Sequence, residues 1–102
     1  MPARSSAVAV DESGAEDLAT AETYLNGTRG MPRDSGEAAQ RLWKAVGKGN
    51  LAATMALSDL YLRGDGVPKS CDQARLLLDA AARKGGRAAA DRLRNLQAFG
   101  CE

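Results

Sequence analysis

The chain has 102 residues, a formal net charge of +1, no histidine, two cysteines and 4% aromatic residues. Without histidine, Ser-His-Asp and Cys-His catalysis and the common zinc sites are excluded, and two cysteines cannot supply a four-thiolate site, so no metal or other cofactor is expected. Balanced charge and scarce aromatics argue against nucleic-acid binding, and no stretch reaches the ~20 apolar residues of a membrane span, so no membrane insertion of this segment is expected.

Residues 1–14 read as a flexible tail or linker, because MPARSSAVAVDE has no helical periodicity. The apolar run at 7–10 is far too short for a signal peptide. Five helices are predicted at 15–26, 35–48, 51–63, 71–84 and 87–99, from apolar residues recurring at helical spacing. Ser13 with Glu16, Asp34 with Glu37 and Ser70 with Gln73 form capping-box patterns, and Asn50 is placed to cap the third helix. Gly27, Gly49, Gly64, Gly85 and Gly100 stand where helices stop. Pro32 and Pro68 stiffen the two longer loops.

The punctuation repeats. Tyr24, Gly27, Pro32, Leu42, Ala45 and Gly49 match Tyr61, Gly64, Pro68, Leu78, Ala81 and Gly85, while Ala53, Leu57, Leu60 and Gly64 match Ala89, Leu93, Leu96 and Gly100. The offset is 36, and 37 for residues ahead of the one-residue insertion at Thr28 and Arg29. A fixed offset of this size marks stacked helical hairpins, each too small to bury its own apolar face. The domain at 15–100 then divides into repeats at about 15–50 and 51–86 and a half-repeat cap at 87–100.

A helix ending LxxLYxxG at 57–64, the loop GDGVPKS at 64–70 and the pattern AxxxLxxAAxxG at 74–85 resemble the Sel-one-like repeat, a relative of the tetratricopeptide repeat. The resemblance implies an all-α fold, a short right-handed solenoid of stacked antiparallel hairpins. It also implies a protein or peptide interaction module without catalysis. The cysteine-rich branch of this family is associated with penicillin binding, but no serine here has a lysine three residues later. The copies depart from one another at Thr20, which stands where Leu57 follows, and at Gln97, which replaces the tyrosine.

Calling the first helix of each hairpin A and the second B, the order is A B, A B, A. Arg94 stands where Ala21 and Ser58 stand in the earlier copies. Those small residues admit a close neighbour and Arg94 does not, so the last A helix is expected to cap the array. The first A helix has no predecessor, so Leu18 and Leu25 are expected to face solvent or lie beneath a packed tail.

Cys71 and Cys101 each lie fifteen residues from Gly86. At about 1.5 Å per helical residue they should meet at the open end of the last hairpin and form a disulfide. That bond would place the domain in an oxidising compartment, periplasmic or extracellular; two free thiols would fit a cytoplasmic protein. A reactive Cys71 at a helix N-terminus is the third reading, and with it a thiol redox protein. Trp43 reads either as core, in a seam with Ala39 and Val46, or as an exposed anchor for a partner.

In tetratricopeptide-type arrays the A helices line a concave face. Helical spacing places Leu18, Glu22 and Leu25 there from the first copy, Met55, Asp59 and Leu62 from the second, and Asp91, Asn95 and Ala98 from the last. Apolar contacts would give area, and the three acids would select basic side chains on a peptide; the alternative is a solvated groove whose acids only keep the array soluble. A disulfide-stapled terminal domain of a larger envelope protein is the structural alternative. Residues 1–27 carry five acids against one arginine and residues 83–94 five basic residues against one acid, which reads as two solvated ends or as head-to-tail self-association.

Overall fold

The computed structural model describes residues 12–101 apart from Arg29 and Met31; of the tail expected at 1–14, residues 1–11 lie outside the described residues. Five α-helices follow in order, α1 (Ala15–Asn26), α2 (Ser35–Gly47), α3 (Leu51–Arg63), α4 (Cys71–Arg83) and α5 (Arg87–Arg94), and then a 3-10 helix, Leu96–Phe99. No strand occurs among the described residues, so the fold is all-α. Each helix packs against the next in sequence.

Local chemistry sets most of the boundaries. Asp34 Oδ1 accepts from Glu37 N–H at 3.0 Å, Asn50 Oδ1 from Ala53 N–H at 2.8 Å and Ser70 Oγ from Gln73 N–H at 3.0 Å. Each satisfies a first-turn donor that the helix itself cannot, worth about 1 kcal/mol. The start of α1 departs from the expected capping box. Gly14, at φ 79°, takes the N-cap position, and Ser13 Oγ accepts instead from Ala15 N–H at 3.1 Å. The cause is tertiary: Gly14 is buried against α2, and a Cβ there would lie 3.0 Å from both Cα and Cβ of Ala45. Asn50 Nδ2 also donates to Ser13 O at 2.9 Å, so residues 13 and 14 dock on the α2–α3 junction.

The two long loops close alike. Asp34 N–H donates to Tyr24 O at 2.9 Å, and Ser70 N–H donates to Tyr61 O at 3.0 Å. The extra residue in the first loop is absorbed without changing that closure.

Two apolar clusters form the core. The first gathers Ala21, Ala38, Leu42, Ala45, Leu57 and Leu60 with Leu77 of α4. The second gathers Leu62, Leu78, Ala81, Ala89, Leu96 and Cys101. Tyr61 packs against both. Alanine at the contacts lets helices approach closely, and the fully buried leucines contribute about 1.5–3 kcal/mol each relative to exposure. The buried hydroxyls of Thr54 and Ser58 donate to Asn50 O and Met55 O.

Three expectations are corrected. Leu18 and Leu25 are half-buried against the first cluster; α1 turns Glu16, Ala19, Glu22 and Asn26 to the outside instead. Trp43 is not core. It is 40% exposed, because Ala39, Leu42 and Ala45 take the inward face of α2 and the next residue is rotated by about 100°. The last helix ends at Arg94 rather than at 99. Asn95 leaves helical geometry, its Nδ2 donates to Asp91 O at 2.8 Å, and the chain tightens into the 3-10 turn.

Candidate functional site

The disulfide forms between Cys71 and Cys101, with Cα atoms 5.8 Å apart, so neither sulfur is a free thiol. The path differs from the expected continuous helix. Gly100, at φ 89°, turns the chain after the 3-10 helix, and Cys101 N–H donates to Leu96 O at 3.1 Å. Cys101 and Leu96 then enter the second cluster together, 2% and 7% exposed. Closing a loop across 30 residues stabilises by about 3–4 kcal/mol in the chain-entropy account.

Fixing the 3-10 segment beside α5 shapes a shallow open groove of about 400 Å³. Its lining is Ala88, Asp91, Arg92 and Asn95 from α5 and its C-cap, with Ala98 and Phe99 from the 3-10 helix. The Arg92 guanidinium carbon lies 5.0 Å from the Phe99 ring centroid, a cation–π contact. Phe99 remains 39% exposed.

Of the nine residues expected on the concave face, Asp91, Asn95 and Ala98 come together in this groove. Asp59 of α3 faces the same region, its Oδ1 4.0 Å from Arg92 Nη1, while its Oδ2 pairs with Arg63 at 2.8 Å. Asp91 pairs with Arg94. Leu62 is buried and Met55 half-buried in the second cluster, while Leu18 and Leu25 pack on the first. Glu22 is exposed and makes no ion pair among the described residues. Sequence reasoning missed Ala88, Arg92 and Phe99. The seven-residue separation of Arg92 and Phe99, two helical turns, was the available signal, but the break at Asn95 hides it.

Trp43 meets Tyr61 edge to face with ring centroids 6.2 Å apart and leaves its other side to solvent. Two of the terminal charges are engaged within the chain: Lys48 holds Asp17 at 2.9 Å, and Asp79 holds Arg83 at 2.9 Å.

A second polar cluster joins the two loops. Arg33 Nη2 reaches Asp65 Oδ2 at 2.6 Å, and Arg63 stands 3.9 Å away. Arg33 foremost holds the Asp65 carboxyl below the usual carboxylate range, and the buried Ser35 hydroxyl adds to this although it makes no hydrogen bond of regular geometry. Beside it, Gly66 sits against α2 so closely that a Cβ would lie 2.4 Å from the Ser35 carbonyl carbon. This cluster positions loops rather than presenting a cavity.

Among the described residues, no group of three or more His, Cys, Asp or Glu side chains is arranged to hold a metal ion, and no helix is long and apolar enough to cross a membrane. The chain matches no family model and no curated protein.

Proposed function

We propose that the chain is a short α-solenoid of the Sel-one-like type, its helices paired antiparallel into stacked hairpins, and that it acts as a protein or peptide interaction module. Several features support the stacking. The two long loops close with the same backbone hydrogen bond, Gly66 seats the second loop on the start of α2, and Ala21 and Ser58, equivalent in the repeat register, are both fully buried.

The observation that carries the functional reading is the groove. Asp91, Asn95 and Ala98, expected from helical spacing on the concave face that the resemblance implies, line one depression together with an exposed aromatic ring. Large exposed aromatics beside a concave surface are the residues that anchor partners. The test is a displayed library of random 12-residue peptides, panned on the wild-type domain and on Ala98→Arg. Enrichment of a shared pattern that Ala98→Arg abolishes, with helicity unchanged, is the expected result. No enrichment, or enrichment indifferent to Ala98→Arg, overturns the reading.

The Cys71–Cys101 bond favours a second reading, a stapled structural domain of an envelope protein in an oxidising compartment, periplasmic or extracellular. It predicts protein without free thiols when isolated from its natural compartment, and a library that yields nothing.

A further inference from the structure

The groove at α5 combines an apolar floor with a cation whose donors make no hydrogen bond to the described residues. Ala88, Ala98 and Phe99 supply the apolar surface. Arg92 is held over the Phe99 ring at 5.0 Å, and the acid that pairs with it among the described residues, Asp59, stands at 4.0 Å, the outer limit of an ion pair. Asp59 is the closer partner of Arg63, at 2.8 Å. A guanidinium carries five N–H donors in a rigid fork, and those of Arg92 make no hydrogen bond among the described residues. The stacked ring and the longer-range Asp59 fix the fork without filling it.

The acids point the same way. Asp59 and Asp91 were expected to select basic side chains, yet each is already paired with an arginine, Arg63 and Arg94. Arg63, Arg92 and Arg94 stand here against Asp59 and Asp91, three cations to two acids. A basic peptide entering this groove would have to displace an arginine from each carboxylate and would meet surplus positive charge. A carboxylate meets the open fork of Arg92.

We propose that the α5 groove docks an acidic segment of a partner protein, one carboxylate taken bidentately by Arg92 and a neighbouring aliphatic side chain laid on Ala88, Ala98 and the edge of Phe99. This rests on the reading of the groove as the binding surface and specifies its partner. Arginine–carboxylate forks are short and directional, and their pairing outside water is stronger than between fully solvated groups, so the apolar floor reinforces the charge selection.

Three 12-residue fluorescent peptides with identical leucine and phenylalanine positions, carrying glutamate, serine or lysine elsewhere, test this by anisotropy at low and raised salt. The glutamate peptide is expected to bind about tenfold more tightly than the serine peptide, with the lysine peptide weakest and the preference shrinking as salt rises. Arg92→Gln should abolish the preference, Arg92→Lys, which keeps the charge but loses the fork, should retain part of it, and Lys44→Gln, the same charge loss remote from the groove, should leave it intact. Equal or tighter binding of the serine or lysine peptide overturns the acidic partner and leaves the groove as a docking site. No binding by any of the three overturns both. Mass growth with protein concentration in the absence of peptide, lost in Arg92→Gln, assigns the groove to a second copy of the chain and also overturns the proposal.

Discussion

The first stretch of the domain, α1 with its loop, and the second, α3 with its loop, follow one sequence register but use it differently. Where α3 buries Ala53, Leu57 and Leu60, α1 carries Glu16, Thr20 and Thr23, exposed or half-buried. Where the second loop presses Gly66 onto Ser35, Gly30 of the first loop has no described residue within 4 Å of the position a Cβ would take, its chain neighbours aside. α3 packs against α2 as well as α4. In α1 the same register carries polar side chains where α3 carries apolar ones, and an apolar face confers stability only where another surface covers it.

The largest test of this difference is at the matched helix positions. Leu57→Ala, at a side chain with no solvent exposure, should lower stability by about 2–5 kcal/mol in denaturant unfolding. Thr20→Leu, which writes the α3 residue into α1, should change it by no more than about 0.5 kcal/mol, because position 20 is only partly buried. A gain of several kcal/mol from Thr20→Leu would break the comparison.

Reduction comes next and extends it to the last stretch, which the disulfide ties to the start of α4. Reducing Cys71–Cys101 should cost about 3–4 kcal/mol. Amide exchange should accelerate most over 95–101 and least in α1 and α2. Uniform acceleration would mean that the bond braces the whole core rather than the terminal segment.

The loop glycines should separate by less. Both have positive φ, 74° at Gly30 and 78° at Gly66, so alanine at either position incurs about 1 kcal/mol of backbone strain. Only Gly66→Ala also collides with Ser35, and it should cost a further 1–3 kcal/mol or so, seen as a lower melting temperature. Equal losses would place the second loop off α2.

The smallest effect is electrostatic. The Asp65 carboxyl, lowered chiefly by Arg33, stabilises the fold fully above the ordinary value of 3.8 and loses that contribution as pH falls through its lowered value. Stability plotted against pH should therefore fall less on the acid side in Asp65→Asn than in wild type. Arg33 is half exposed, so the difference is small and should shrink with salt.

How much of this was legible follows the range of the forces involved. The caps at Asp34, Asn50 and Ser70 were readable because a cap is decided by residues within one turn. At Ser13 the same pattern failed, because Gly14 is pressed onto Ala45 from thirty-one residues away. Trp43 has the helical spacing of a core residue with Ala39 and Val46, but which side of α2 faces inward is settled by Leu42 and its partners on α3. In the candidate site, Asp91, Asn95 and Ala98 were found by register, while Arg92 and Phe99 were not. Their contact depends on the chain leaving helical geometry at Asn95 and returning to Cys71.

The all-helical class, the helix starts after Asp34, Asn50 and Ser70 and the glycines that follow the first four helices were determined by the sequence alone, since each is set by local hydrogen bonding or backbone sterics, while counting offered the cysteine pairing only as one of three readings. Tertiary structure decided the rest: which acids remain available once arginines reach them, which aromatic rings stay in solvent, and where the last helix breaks. Those outcomes depend on groups brought together from distant parts of the chain, and a carboxylate or a ring acquires its role only when the neighbour that neutralises or covers it is in place.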